Sequence, residues 1–271
     1  NFVRNSTDGY DLTPETPYEH TQEKFANYTV NQKFEYSPIS KLTFSLYGNY
    51  YQNERFYANS LPSHPKYFDY MLGFKTKYYP NEKSTLEISA YADRYETDDI
   101  LEELNNRKQL QQESQIENVR VTGNFIIKEK HTLTIGSEYF RDNLYSIRIE
   151  GENRSADEII LFAQEDYSIG ENISLVGGFR LNKHSDYNYH FAPKLSLLWK
   201  VKPINIRLSF GTGFRSPTIK ELYMYFDEFG WWIVKGNPNL QPESSKYISC
   251  SFEYAKPTPD ISLNLYYNDL D

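Results

Sequence analysis

Apolar and polar side chains alternate along most of this 271-residue chain, and this period of two constrains its fold more than any other feature. At Leu42, Phe44 and Leu46, for example, apolar side chains are separated by Thr43 and Ser45. Because successive side chains of a β-strand point to opposite faces, the pattern predicts about twelve strands, each with one apolar and one polar face. The alternation returns at the apolar positions Leu86/Ile88/Ala90, Leu133/Ile135/Tyr139, Ile173/Leu175/Phe179/Leu181, Ile204/Ile206/Leu208/Phe210, Ile248/Cys250/Phe252/Tyr254 and Ile261/Leu263/Leu265.

The connections between these strands are alternately short and long along the chain. This arrangement predicts an all-β, antiparallel up-and-down sheet with every long loop at one end. Such a meander is typical of a transmembrane β-barrel of the outer membrane, because a sheet that faces lipid must close to satisfy its backbone hydrogen bonds. The short connections lie at 37–40, 80–83, 128–130, 168–171, 200–203 and 256–260, and the long, polar ones at 55–65, 96–114, 148–157, 182–190 and 212–245.

Composition excludes several other classes of protein. Lysine and arginine number 29 against 37 aspartate and glutamate, so the net charge of −8 provides no basic surface for nucleic acid. The sequence has no run of about 18 apolar residues, and its mean hydropathy is −0.71, which excludes a helical membrane protein. A soluble β-sandwich is the competing interpretation. Rings beside the short turns predict an aromatic girdle at a membrane interface; they belong to Tyr36, Tyr78, Tyr79, Tyr167, Trp199 and Tyr254.

Two neighbouring motifs resemble a known family. The stretch Arg207–Tyr223, RLSFGTGFRSPTIKELY, is followed by GNPNLQPE at Gly236–Glu243 and then by a strand. This pair is similar to the barrel of TonB-dependent outer-membrane receptors, and stretches at 8–14, 190–199 and 265–270 support the resemblance. The resemblance implies a 22-stranded barrel around an N-terminal plug. It also implies a place in the outer membrane of a Gram-negative cell and uptake of scarce iron complexes, haem or cobalamin with energy relayed through TonB.

The predicted strands account for only part of such a barrel. About twelve strands are expected where the family has 22, and neither a plug-like region nor a TonB-binding segment is evident in the sequence. Residues 1–271 are therefore interpreted as a partial receptor barrel that lacks the plug domain and the C-terminal strands. We expect two unpaired sheet edges. The expected partners are the lipid bilayer, a small-molecule ligand and, through the missing plug, the TonB complex.

Arg215 lies at the start of the longest loop. Its forked guanidinium suits a ligand carboxylate, and an ion pair at the loop rim is the competing interpretation. In haem receptors of the family a histidine lies between the two motifs, but residues 218–236 contain none. His184 and His190, in the preceding loop, are imidazoles that could reach haem or a metal from above; the alternative is that both are solvated loop residues.

Aromatic residues crowd the longest loop. Tyr223 and Tyr225 are potential phenolate ligands for ferric iron, whereas Trp231 and Trp232 offer flat surfaces on which siderophores, porphyrins or corrins can stack. The alternative is that these rings pack on one another to order the loop. The predicted ligand site, with no metal ligand assigned and no resident cofactor, consists of Arg215, Tyr223, Tyr225, Trp231, Trp232, His184 and His190.

The acidic residues between 93 and 103 have the oxygen density of a calcium site but not the spacing of an EF-hand, so a solvated, self-repelling loop is the alternative. Residues 101–112 are expected to form a short helix.

The sequence has no nucleophile elbow, phosphate-binding loop or metalloprotease motif, which predicts that the chain is not an enzyme. The predicted function is uptake of a ferric siderophore or haem; the alternatives are cobalamin uptake and a passive porin or adhesin-type barrel.

Overall fold

The computed structural model describes residues 1–12, 15, 21–56, 63–101, 104–228, 230–254 and 261–271. None of the helical residues in these ranges belongs to a helix long and apolar enough to cross a bilayer. The strands are β1 (Phe2–Thr7), β2 (Lys24–Ile39), β3 (Leu42–Phe56), β4 (Ser63–Asn81), β5 (Ser84–Leu101), β6 (Arg107–Ile127), β7 (His131–Ser146), β8 (Asn153–Ile169), β9 (Ile173–His184), β10 (Asn188–Val201), β11 (Ile204–Arg215), β12 (Tyr225–Glu228), β13 (Trp232–Lys235), β14 (Glu243–Tyr254) and β15 (Ile261–Leu270), and the helix is α1 (Ile219–Tyr223).

Thirteen of these strands form one antiparallel sheet, in the order β1 to β11 followed by β14 and β15. The other two, β12 and β13, form a hairpin inside the connection between β11 and β14. The prediction of an all-β, up-and-down antiparallel sheet is confirmed, with thirteen strands in the sheet instead of about twelve. In the part of the chain that the structure describes, β1 and β15 are the two edges of this sheet.

The two faces of the sheet differ in polarity, as the alternation predicts. Cross-strand neighbours form rows across the sheet. Successive rows are alternately apolar and polar, because the side-chain period of a strand is two. The apolar face is exposed and the polar face is partly buried, which is the reverse of a soluble sandwich, whose apolar faces meet each other. One row from β2 to β7 is Phe34, Leu46, Phe74, Ala90, Val119 and Tyr139, and the adjacent row is Glu35, Ser45, Lys75, Ser89, Arg120 and Glu138.

The polar row continues from β7 into β8, β9 and β10. Glu138 of β7 is opposite Ile160 of β8, which is opposite Asn182 of β9, which is opposite His190 of β10. His190 therefore lies on the polar face of the sheet. Leu144 follows Glu138 on β7 by an even number of residues, so it lies on that face as well.

Three of the predicted long loops are wrong, because the strands continue through most of their residues. Strand β6 begins at Arg107 and β8 at Asn153, and β9 and β10 are separated only by residues 185–187. The polar residues at these positions belong to strand ends that extend beyond the alternating apolar residues. Their backbone still pairs with the neighbouring strands. The prediction of a long connection holds for residues 216–242, and residues 57–62 of the loop at 55–65 lie outside the described residues.

The predicted helix at 101–112 is also wrong in its described part. Residues from Arg107 onward belong to β6, where Lys108 is opposite Ile100 and Gln109 is opposite Asp99 of β5. Helix propensity is a weak preference, and pairing with a neighbouring strand overrides it here. Residues 102 and 103 lie outside the described residues.

Candidate ligand-binding site

The connection from Ser216 to Pro242, called here the long loop, folds against the polar face of the sheet. It starts with Pro217 and the short helix α1, which is initiated by a capping box between Thr218 and Glu221. Ile219 and Leu222 of α1 are both buried. Because Ile219 packs in one buried cluster with Leu144 of β7 and Ile149, the helix is anchored on the polar side of the sheet.

Backbone hydrogen bonds attach the end of α1 to the β7–β8 turn. The N–H of Glu150 donates to the carbonyl of Tyr223 at 2.9 Å, and the N–H of Tyr225 donates to the carbonyl of Arg148 at 2.8 Å. These bonds flank an antiparallel bridge between Ile149 and Met224. The long loop therefore reaches back across β8, β9 and β10 to the turn that precedes β8.

Two arginines reinforce this attachment by contacts with aromatic rings. The guanidinium carbon of Arg148 lies 4.1 Å from the ring centre of Phe226, and that of Arg154 lies 4.4 Å from the ring centre of Tyr223. Both distances are within the range of cation–π interactions. The ring of Phe226 in turn meets Trp232 edge to face at 5.9 Å. The partly buried ring of Tyr223 therefore helps to attach the long loop to the sheet.

The hairpin β12–β13 presents the other aromatic residues of the predicted site to solvent. Trp231 is 88% exposed, Trp232 is 57% exposed and Tyr225 is 45% exposed. The turn is shaped by Gly230, which has φ +76° and donates its N–H to Asp227 Oδ1 at 2.8 Å. The expectation that all these rings pack on one another holds only for Phe226 and Trp232 among the described residues, since Trp231 projects from the tip of the hairpin.

Arg215 ends β11 and is held by two carboxylates. It forms four hydrogen bonds of 2.8–3.1 Å, two to Glu221 and two to Glu243. Its hydrogen bonds to Glu243 and Glu221 raise the pKa of the guanidinium further above its ordinary value. Bonds from Arg215, followed by the backbone N–H of Thr218, lower the pKa of Glu221 to about 2. The same arginine lowers the pKa of Glu243.

The two histidines of the predicted site are held by their own loop. His190 Nε2 donates to the carbonyl of Tyr187 at 2.9 Å, and its ring stacks on Phe214 at 3.7 Å between ring centres. His184 is only 8% exposed, and its Nδ1 accepts the backbone N–H of Asp186 at 3.1 Å. Neither imidazole is a freely solvated loop residue, because β9 and β10 continue up to them as strands.

Two adjacent depressions lie beneath the long loop and bring part of the predicted site together. The larger, of about 480 Å³, contains His190 and Arg215 together with Glu158, Arg180, Asn182 and Phe214, which are not among the predicted site residues. The smaller, of about 280 Å³, contains His184, Tyr223 and Arg154. Tyr225, Trp231 and Trp232 lie on the hairpin and line neither depression. Arg148, Arg154 and Arg180 belong to no sequence motif, and only the tertiary structure brings them to Phe226, Tyr223 and the larger depression, respectively.

Among the described residues, the acidic segment near residue 98 contains no group of three or more His, Cys, Asp or Glu side chains placed to hold a metal ion. Lys108 Nζ lies 2.9 Å from Asp98 Oδ2 and 3.2 Å from Glu96 Oε2. Arg94 Nε lies 2.7 Å from Glu96 Oε1, and Arg94 Nη2 lies 2.8 Å from Glu113 Oε2. The carboxylates are thus paired with cations within the strands, so the expectation of a solvated, repelling loop is wrong for these residues.

An antiparallel up-and-down sheet with an exposed apolar face and a polar face under a long loop defines an outer-membrane β-barrel wall. Residues 2–271 match the family model described as TonB dependent receptor-like, beta-barrel. The chain therefore belongs to the TonB-dependent receptor β-barrel family, whose members lie in the outer membrane of Gram-negative bacteria. The recognition made from the two motifs is confirmed.

Individual relatives agree with this assignment. The chain is 30% identical over 111 residues to the iron-regulated outer membrane virulence protein of Vibrio cholerae, a match that covers 40% of this chain and 17% of that protein. It is 25% identical over 137 residues to the vitamin B12 transporter BtuB of Photobacterium profundum, covering 50% of this chain and 21% of the transporter. The matched segment is thus about a fifth of each relative's length.

Solved structures show the same fold. The siderophore receptor PirA of Pseudomonas aeruginosa has a TM-score of 0.74 at 16% identity, with 91% of this chain and 46% of the receptor covered. A variant of the ferric enterobactin receptor of the same organism has a TM-score of 0.75 at 14% identity, with 99% of this chain and 47% of that receptor covered. The chain spans about half the length of these receptors.

Proposed function

We propose that this chain forms part of an outer-membrane receptor that binds a scarce iron complex, a ferric siderophore or haem, and imports it with energy supplied through TonB. The observation that carries the proposal is the long loop, which is anchored on the polar face, carries exposed aromatic rings, and begins at a polar depression that Ser216 helps to line. Flat organic ligands stack on such rings. Catalysis has no part in the proposal.

The proposed ligand contacts have two layers. Trp231, Trp232 and Tyr225 would meet the ligand first, because they are the exposed rings of the hairpin. His190 lines the larger depression, where Arg215 is held by Glu221 and Glu243. His184 and Tyr223 line the smaller one, so the two histidines and Tyr223 would follow as the ligand moves inward. The TonB complex would act on a plug held in the lumen, and the polar face would line the path.

Names of relatives support iron-complex uptake and one alternative. The Vibrio relative is iron-regulated by name, and a relative from Haemophilus influenzae, 31% identical over 102 residues, covering 36% of this chain and 9% of that protein, is named as a hemoglobin and hemoglobin-haptoglobin-binding protein. The vitamin B12 transporter among the relatives favours cobalamin as the second candidate. A passive porin or adhesin-type barrel is the remaining alternative.

Growth rescue tests the proposal. A deletion strain carrying the full-length gene is supplied with a single iron source, either a ferric siderophore or haem, or with cobalamin where growth depends on it. Rescue by an iron complex that also requires TonB supports the proposal. Rescue by cobalamin alone supports the second candidate, and rescue by iron complexes without TonB supports a passive barrel. If none of these supplements restores growth, the proposed function is contradicted.

A further inference from the structure

The base of the long loop is closed by an ion pair between the two sequence motifs. Arg215 is the last residue of β11 and Glu243 is the first residue of β14, and the two are directly opposite each other in the ladder. Nε of Arg215 donates to Glu243 Oε2 at 3.0 Å, and Nη2 donates to Oε1 at 2.8 Å. This fork-to-fork geometry is the strong, directional form of an arginine–carboxylate contact.

The same arginine also holds helix α1. Nη1 and Nη2 of Arg215 donate to the two carboxylate oxygens of Glu221 at 3.1 Å each. Glu221 Oε2 also accepts the backbone N–H of Thr218 at 2.8 Å, which is one half of the capping box. Four of the five N–H donors of the guanidinium are therefore engaged by protein carboxylates, which leaves little of Arg215 for a ligand.

The second motif is fastened to the other end of α1 by its backbone. The N–H of Gly236 donates to the carbonyl of Met224 at 2.7 Å, and the N–H of Asn237 donates to the carbonyl of Glu221 at 2.9 Å. A Cβ at Gly236 would lie 2.7 Å from the carbonyl carbon and oxygen of Leu222. Gly236 is therefore required by the close approach of two backbone segments, since its φ needs no glycine.

We infer that Arg215 is a positioning residue: with Glu221, Gly236 and Glu243 it forms a buckle that fixes α1 across the base of the long loop and thereby directs the hairpin β12–β13 onto the β7–β8 turn. The buckle accounts for the arginine of the first motif and for the glycine and glutamate of the second. Its effect on ligand capture rests on the proposed function, but its effect on the loop does not.

The bridge between Ile149 and Met224 provides a direct readout of loop position. The hydrogen bonds on either side of it identify a non-hydrogen-bonded antiparallel pair, in which side chains approach most closely. We place cysteines at both positions of the full-length receptor in a Cys250→Ser background and measure the disulfide yield. The receptor with the intact buckle is expected to cross-link efficiently, since the Cβ atoms of such pairs suit a disulfide.

Charge reversal and charge exchange separate a buckle from a ligand contact. Arg215→Glu is expected to lower the cross-linking yield about fivefold, because three carboxylates then face one another, and to weaken ligand binding in parallel. Combining Arg215→Glu with Glu243→Arg is expected to recover part of both, because positions 215 and 243 are again oppositely charged while Glu221 is unchanged. Weaker ligand binding with an unchanged cross-linking yield would overturn the inference, and so would a charge exchange that leaves the yield as low as in Arg215→Glu.

Gly236 offers an independent test with a matched control. Gly236→Ala is expected to lower the cross-linking yield, since its methyl group would meet the backbone of Leu222. Gly211→Ala, where the nearest atom lies 3.8 Å from the new Cβ, should leave the yield unchanged. Equal yields for the two variants would contradict the buckle. If the yields change as expected while the parent receptor binds no iron complex, the buckle is supported and the proposed function alone fails.

Discussion

At the scale of single residues, Trp231 and Trp232 combine high exposure with a position on the hairpin of the long loop. Replacing both by alanine removes the flat surface on which a planar ligand would stack. Each ring is worth about threefold to tenfold in affinity. We therefore expect the double variant of the full-length receptor to bind its iron complex at least about tenfold more weakly in a direct titration.

The matched control for this prediction is Tyr36→Ala. Tyr36 is an exposed aromatic residue near the short-turn end of β2, far from the long loop along the strand. Its replacement should leave the affinity unchanged. An unchanged affinity of the double tryptophan variant would remove the hairpin from the binding site.

The carboxylates of the buckle predict a pH dependence of the long loop. The pKa of Glu221 is lowered from 4.5 to about 2 in the folded protein, so its stabilising contribution is complete above pH 4.5. The contribution declines as the pH falls and is lost once the pH passes the folded pKa of about 2. Glu243, whose pKa is also lowered, contributes in the same direction.

Hydrogen exchange can measure this effect at the backbone N–H groups of Glu150 and Tyr225, which attach the loop to the β7–β8 turn. Their protection factors should be constant from neutral pH to about 4.5 and fall toward pH 2. Glu221→Gln should reduce this dependence, because glutamine does not titrate. Protection lost already near pH 6 would contradict the assignment of this dependence to Glu221 and Glu243.

At the scale of the elements, the alternation of each strand assigns opposite environments to neighbouring residues. Leu208 of β11 lies on the exposed apolar face, opposite Cys250 of β14, whereas Ser249 is directed to the other face. Leu208→Lys should destabilise the full-length receptor in lipid vesicles by about 2–4 kcal/mol if the site lies near the bilayer midplane. Urea unfolding and refolding in vesicles would measure the difference.

The control on the neighbouring strand is Ser249→Lys, which places the same charge on the polar face. We expect a change of less than about 1 kcal/mol there, since an exposed charge on a wet face keeps its hydration. Equal destabilisation by the two lysines would contradict the assignment of the faces.

The strands were predictable from sequence to the extent that they have an apolar face. Strand β3, with Leu42, Phe44 and Leu46 at alternate positions, was recognised directly. The far ends of β5 and β6 were not, because Glu96, Asp98 and Lys108 pair with one another in a polar strand segment. Periodicity requires contrast between the faces, and a segment that is polar on both faces has none.

At the scale of the whole molecule, the exposed apolar face and the polar face predict which side of the sheet is accessible from water. Cys250 lies on the apolar face, in the same cross-strand row as Leu208 and Leu265. In the membrane-embedded full-length receptor, Cys250 should react slowly with a charged thiol reagent. A cysteine at position 249 in a Cys250→Ser background should react at least about tenfold faster, because the thiolate forms only where water is present.

Labelling of Cys250 as fast as, or faster than, labelling of the cysteine at position 249 would contradict this assignment of the two faces. The labelling rates therefore test which face of the sheet is in contact with water.

The candidate site was only partly predictable. Arg215, Trp231 and Trp232 were found because they belong to motifs or to a dense aromatic cluster. Arg148 and Arg154 carry no such signal, and their roles arise because the long loop crosses three strands to reach the β7–β8 turn. Contacts between segments so far apart in the chain leave no local pattern.

The sequence by itself determined the antiparallel meander, the polarity of its two faces and the family, because a period of two and two contiguous motifs are local properties of the chain. Only the tertiary structure decided that Arg215 is held between Glu221 and Glu243, that α1 packs on Leu144 and Ile149, and that polar segments continue as strands. These features depend on which distant backbone and side-chain groups satisfy one another, and that pairing exists only once the strands are in register.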